Sequence, residues 1–291
     1  MNIKKDTLKF YFIVIYVLSG TYIVWFTNGK SLIGVDDANI YMVYMQNFAN
    51  GHGFVFNIGG EKVEGFTSLL WTLIGSVAFY ITQKPEIILL AINIIIISFT
   101  LWKLVCFIDR YLDDTRFLTP SSLFLLGGLI LIPGYFEWTV LSLLETGLWS
   151  SLLILISLNL LDDQENKNIL HNLKFYTLII LLVLCRPESM LWVLWFIVAK
   201  FFKVYIDTKS IKKSILQTIS AIVVFSVTVV SLILWREAYF GFPLPNTFYA
   251  KITSNWIENA IEGLKYIIYC FSNNPLSILS LLLAIGLLYP L

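Results

Sequence analysis

The sequence predicts an all-α polytopic membrane protein, and three observations carry that prediction. Hydrophobic residues make up 58% of the 291 residues and charged residues only 13%. Mean hydropathy is +0.79, and long apolar runs recur from one end of the chain to the other. A net charge of +1, with no basic stripe and interleaved aromatics, leaves no footprint for nucleic acid. The lipid bilayer is therefore the first expected partner.

Residues 8–26, LKFYFIVIYVLSGTYIVWF, give a run close to the roughly 20 residues that span a bilayer as a helix. They follow a short basic start. The run is long for a signal-peptide h-region and lacks a small-x-small cleavage site, so a retained anchor is expected. A first extracytoplasmic loop over about 27–66 follows. In it Ala38, Tyr41, Met42, Met45, Phe48 and Ala49 form one apolar stripe, with Asn39, Gln46, Asn47 and Asn50 elsewhere; this predicts a membrane-surface helix. The glycine-dense stretch GHGFVFNIGGEKVEGFTS (51–68) reads as a turn. Thr67 or Ser68 then caps the next helix.

Further apolar segments lie near 67–82, 86–107, 121–136, 147–161, 174–185, 189–202, 214–235 and 275–291. The segment 67–82 is short for a span and is read as a partial or re-entrant element. With that reading, thirteen of the twenty Lys and Arg residues fall on the cytoplasmic side, including Lys4, Lys5, Lys9, Lys103, Arg110 and Lys209 to Lys213, as the positive-inside rule requires. DRYLDDTR (109–116) and DDQENKN (162–168) then become solvated cytoplasmic loops. Residues 256–271 alternate at helical spacing and should lie along the outer surface, within an outer loop of about 236–274. Cys106, Cys185 and Cys270 show no CxxC spacing and read as small hydrophobes.

The same topology places four polar stretches on one face, outside the cytoplasm. They are the Asp36–Asp37 pair, WTVLSLLETG (138–147), CRPES (185–189) and WREAYFGFPLPNTFYAKI (235–252). One carboxylate suffices to cap a helix, so a second adjacent acid suits a general base or an oxygen ligand for a divalent metal. Arg186 lies between apolar runs, where an unpaired guanidinium is costly. It either pairs with Glu188 or Glu145 or grips a phosphate in bidentate fashion. Glu145 raises the same question, as a packing hydrogen bond or as a third acid beside the aspartates. Two prolines predict an extended loop presenting Asn246, Tyr249 and Lys251, as site contacts or interfacial anchors. His52 reads first as a loop hydrogen-bonder, second as an acid or ligand.

The stretch DDANIYMVYMQNFANGHGFVFNIGGEKVEGFTSLLW (36–71) resembles the first-loop signature of a family of GT-C glycosyltransferases related to the mycobacterial cell-wall terminal arabinofuranosyltransferase. LSLLETGLW, CRPES and YFGFPLPNTFYAKI resemble its later segments, in the same order. The departures are Leu144 for a glycine, Phe66 for a tyrosine and Ser189 for a glycine. The resemblance implies a GT-C-type transmembrane helix bundle, 1–291 forming a single domain that lacks C-terminal helices and an extracytoplasmic domain found in longer relatives. It implies an inverting transferase acting on the extracytoplasmic face of the cytoplasmic membrane. The donor would be a polyprenyl-phosphate sugar and the acceptor a cell-envelope glycan or lipid.

In that scheme Asp36 or Asp37 is the base, and desolvation raises its pKa. Arg186 and Lys251 hold the donor phosphate. Substrate contacts are expected from His52, Glu64, Glu145, Glu188, Asn246 and Tyr249. Asp36, Asp37 and Glu145 are the candidate ligands of a divalent cation, Mg or Mn. The rival function is a flippase or transporter for lipid-linked sugars; the absence of an internal repeat and the placement of the acids in a first loop weigh against it.

Overall fold

The computed structural model describes residues 3–30, 36–112, 116–161, 169–251 and 256–273. The order of helices is α1 (Ile3–Thr27), α2 (Asp36–Ala49), α3 (Leu69–Ile81), α4 (Glu86–Tyr111), α5 (Pro120–Leu131), α6 (Thr146–Leu161), α7 (Ile169–Cys185), α8 (Ser189–Thr208), α9 (Ile211–Phe240), α10 (Asn246–Lys251) and α11 (Trp256–Asn273). A π turn, Glu137–Leu141, precedes α6. Among the described residues there is no strand. Four helices, α1, α4, α8 and α9, are long and apolar enough to cross a membrane. The chain is thus an all-α membrane protein. Its outward side chains fit lipid: Leu191, Trp195, Leu216, Val227 and Leu234 are all exposed, where a water-soluble bundle would place polar groups. The apolar run at 275–291 and the loop 162–168 lie outside the described residues.

The chain divides into two compact units, Met1–Asn246 and Thr247–Leu291. In the first, helix directions follow from cross-helix contacts. Lys9 at the start of α1 pairs with Asp109 at the end of α4, and Trp102 Nε1 donates to Asp6 O at 2.9 Å, so α1 and α4 are antiparallel. Lys200, late in α8, donates to Asn172 near the start of α7 at 3.1 Å. One end of the bundle therefore gathers the start of α1, the end of α4, the starts of α5, α7 and α9, and the end of α8. The other end gathers α2, the first loop, and the junctions α7–α8 and π turn–α6. Helix α3 has only 13 residues, roughly 20 Å. It starts at Ser68 beside α2 and leads within four residues into α4, so both its ends belong to this second end.

Two apolar cores hold the unit together. The larger joins α2, α3, α6, α7, α8 and α9 around Met45, Trp71, Phe175 and Leu182. The smaller joins α1, α4 and α5 around Ile13, Val17, Leu101 and Phe136. Local chemistry sets the helix ends. Ser68 caps α3 by accepting from Trp71 N at 3.1 Å, and Gly241 closes α9 at φ +79°, a conformation glycine adopts without a Cβ penalty.

The structure corrects four local expectations. Asn47 is buried, because its amide donates to Val55 O at 2.8 Å and Phe56 O at 3.1 Å and so folds the first loop back on α2. Asp109 is buried as well, held by Lys9, by Ser122 Oγ at 2.8 Å and by Thr119 N at 3.3 Å; it is no solvated loop acid. Helix α9 runs on to Phe240, so Arg236 sits inside it. The PLPNTFYAKI stretch turns helical from Asn246, since Pro245 precedes the first helical residue and its fixed φ initiates a helix as readily as it ends one.

Candidate functional site

The first loop is built on tyrosine hydroxyls. Tyr41 on α2 accepts from Ser68 N at 2.8 Å and Thr67 N at 3.2 Å, and shares a hydrogen bond with Thr67 Oγ1 at 2.9 Å. One turn on, Tyr44 donates to Val63 O at 2.6 Å and accepts from Gly65 N at 3.1 Å. Tyr239 on α9 accepts from Phe54 N at 2.9 Å. That hydroxyl approaches so closely that Gly53, at φ +80°, has no room for a Cβ. Phe48, Phe54, Phe66 and Trp235 stack behind these bonds, with ring centroids 4.1 to 5.7 Å apart. Burial pushes the phenol pKa of Tyr41 and of Tyr44 upward, so both remain neutral donors.

A buried ion pair fastens this loop to α9. Arg236 Nε donates to both carboxylate oxygens of Glu64, at 3.1 and 2.9 Å, and both residues are 2% exposed. Asn246 N completes the fastening by donating to Glu64 O at 3.2 Å. Burial raises the Glu64 pKa, and Arg236 acts against this without cancelling it. Glu64 is therefore a structural clasp and not an open substrate contact. Arg236 is the residue that sequence reading missed. Its signal was an arginine in the WREAYF run, next to apolar helix, where a guanidinium requires a carboxylate.

The second ion cluster joins three other elements. Leu143 adopts φ +58°, rare for a bulky residue. Its carbonyl accepts from Trp71 Nε1 at 2.9 Å, which holds the strained turn; Glu145, two residues on, is buried to 2% exposure. Gly147 follows because Thr139 O and Asn93 Oδ1 crowd the space a Cβ would fill. Arg186, in the α7–α8 turn, donates through Nη1 to Glu145 Oε1 at 3.1 Å, and through Nε and Nη2 to Glu188 at 3.2 and 3.4 Å. Its guanidinium lies 5.3 Å from the Trp149 ring centroid, and Trp149 Nε1 bonds Ser189 Oγ at 2.8 Å. Burial pushes the Glu145 pKa up; its own backbone N–H and Arg186 offset this only in part.

Three features of this cluster matter for chemistry. Glu145 Oε2 is buried with no hydrogen-bond partner among the described residues, and such a group is costly unless something completes it. Arg186 spends three of its five N–H bonds on the two glutamates, leaving one on each Nη. Glu188 is 57% exposed, so it is the movable partner and Glu145 the fixed one.

Asp36 and Asp37 occupy the first turn of α2 and are both exposed. The desolvation expected to tune them is not supplied by the protein alone. The link from α2 to the cluster runs one turn further on, through Tyr41, whose hydroxyl feels the Glu145 charge. His52 is exposed in the glycine turn, its N–H donating to Asn47 O at 2.9 Å. Asn246 is exposed at the start of α10. Tyr249 belongs to the second unit, and the Lys251 side chain lies outside the described residues. Asp36, Asp37 and Glu145 form no three-ligand metal group among the described residues. No protein-family model, curated protein or solved structure matches the chain.

Proposed function

We propose that this protein is an inverting GT-C-type glycosyltransferase. It moves a sugar from a polyprenyl-phosphate donor to a cell-envelope glycan or lipid acceptor, on the extracytoplasmic face of the cytoplasmic membrane. One observation carries the reading. The four stretches that resemble the family, the last of them as far as Asn246, meet at one end of the helical unit through Phe54–Tyr239, 185 residues apart, Trp71–Leu143 and Glu145–Arg186.

The chemistry assigns roles to residues. The acceptor hydroxyl attacks the anomeric carbon from the face opposite the phosphate, and its proton passes to Asp36, with Asp37 orienting the acceptor. The C–O bond to phosphate breaks with its electron pair, and the phosphate leaves against the Nε–Nη2 edge of Arg186, which Glu188 gives up to it. Glu145 holds that guanidinium from behind. Bound acceptor and donor displace water from the exposed aspartates.

The test is transfer of radiolabelled sugar from polyprenyl phosphate by purified protein in detergent, without any gradient. Asp36→Asn keeps the shape while removing the base, so turnover should fall about 10²- to 10⁴-fold with donor binding retained. A defect in Asp37→Asn instead exchanges the two roles. A folded double variant that transfers sugar at the parental rate refutes the reading, and movement of lipid-linked sugar across vesicles without transfer points to a flippase.

A further inference from the structure

At the opposite end of the unit, α4, α6 and α7 enclose a groove of about 500 Å³. Its mouth carries Lys103 and Arg110 from α4 and Lys174 from α7, all exposed, and among the described residues no carboxylate lines it. The nearest acid on α4, Asp109, is already committed to Lys9, Ser122 and Thr119. Arg110 is oriented by its Nε, which donates to Cys106 O at 3.3 Å. Lys103 Nζ rests 4.5 Å from the Trp102 ring centroid and 5.5 Å from that of Phe99, an arrangement suited to headgroup depth. Asn159 of α6 lines the same groove and has a buried Oδ1 without a partner among the described residues. Between and beyond these cations the lining is apolar: Phe99, Phe107, Leu155 and Leu158.

A second groove of about 500 Å³ lies on the far side of Phe107 and Leu158, which line both, and its lining is almost wholly apolar, ending on Trp192, Trp195 and Phe196 of α8. One basic mouth with two apolar slots about a shared ridge matches a phosphate headgroup bearing two hydrocarbon chains. We propose that this region is a binding site for an anionic two-chain phospholipid, with Lys103, Arg110 and Lys174 on the phosphate, Asn159 on the glycerol region and one chain on each side of Phe107 and Leu158. Basic pockets between membrane helices recognise anionic headgroups in this way. The inference does not depend on the glycosyl-transfer reading.

The experiment is a titration of delipidated, purified full chain by native mass spectrometry, with phosphatidylglycerol, phosphatidylcholine and water-soluble glycerol phosphate as probes. Phosphatidylglycerol should bind at least about tenfold more tightly than phosphatidylcholine. Each cation removed should cost about fivefold, so a Lys103→Gln, Arg110→Gln, Lys174→Gln protein should lose roughly 100-fold. A Lys212→Gln, Lys213→Gln protein, altered at the same end outside the groove, should bind like the parent. Leu158→Trp fills the ridge between the slots and should weaken the phospholipid without changing glycerol phosphate binding. If the triple variant fails to fold, Lys174→Glu alone, at an exposed position, should still weaken phosphatidylglycerol more than tenfold. Equal affinity for the two phospholipids overturns the proposal, as does unchanged binding by the charge variants. Competition by glycerol phosphate at the same concentration as phosphatidylglycerol also overturns it, reducing the groove to a plain anion site.

Discussion

Glu64 and Arg236 offer the sharpest test of how the first loop is held. Both side chains are 2% exposed, one Nε bridges both carboxylate oxygens, and Arg236 Nη1 is buried without a partner among the described residues. Glu64→Leu leaves a guanidinium buried with neither its counter-charge nor its acceptor, and Arg236→Met leaves a buried carboxylate; either should cost about 3–5 kcal/mol. For a chain of this size that corresponds to a midpoint lower by roughly 10 °C. Glu64→Leu with Arg236→Met removes both charges and should recover most of the loss, giving a large coupling energy in the cycle. The pH dependence carries a sign. Burial, the larger effect, holds the folded-state Glu64 pKa above the ordinary value of 4.5, so the native state keeps this proton longer than the unfolded chain. Its contribution is full below that value and drains as pH rises through the folded-state pKa; Glu64→Gln should flatten that part of the profile. Thermal unfolding in detergent, followed by tryptophan fluorescence across pH, measures all of this. Single variants losing under about 1 kcal/mol, as exposed pairs do, with no coupling between them, would refute a buried clasp.

Two further outcomes concern the site and its orientation. Arg186→Lys should be nearly as damaging as Arg186→Ala, each losing about 10- to 100-fold in kcat/KM, because a lysine cannot stay fixed on Glu145 and also offer a phosphate the matched two-donor fork; full activity in the lysine variant would show that a point charge suffices. In a cysteine-free background, Asn57→Cys should react with a membrane-impermeant thiol reagent applied to intact cells and Lys209→Cys should not, and equal labelling of both would remove the single-face site.

The spans were legible because hydrocarbon imposes a length and a composition that few other constraints can mimic. Helices α4, α6, α7, α8 and α9 fall on the runs the sequence marks, and α2 falls on its stripe of Ala38, Tyr41 and Met45. Partners were less legible. An apolar run places Arg236 near a membrane surface, yet its carboxylate is 172 residues away, and nothing local distinguishes Glu64 from its neighbour Glu61. The same holds for Lys9 and Asp109, 100 residues apart: one reads as a cytoplasmic cation and the other as a solvated loop acid, and they form one buried pair. Asn47 shows the limit of a stripe: its position in the helix predicts a polar face, but the backbone of Val55 and Phe56 needed a donor there. Proline in PLPN misled in the other direction, since it forbids a helix through itself and favours one beginning just after it.

The charge arrangement around Arg186 bears on how an anion could be received there at all. Glu145 and Glu188 together outweigh the single guanidinium, and Asp36 and Asp37 add to the same sign at that end of the unit. A phosphate approaching this surface meets net negative charge until one carboxylate yields. Glu145 cannot yield: it is buried, its Oε1 is fixed on Nη1, and the strained Leu143 turn leaves it nowhere to go. Glu188 can, since it is 57% exposed and its contacts at 3.2 and 3.4 Å are the longer ones. The Nε–Nη2 edge it occupies is also the geometrically matched fork for a phosphate. On the proposed mechanism, Glu188 therefore holds that edge in the empty enzyme and gives it up to the donor, while Glu145 keeps the guanidinium plane from rotating. A basic site would grip the released polyprenyl phosphate as tightly as the donor. A returning Glu188 competes with the product for the same two N–H groups, which favours its release after transfer.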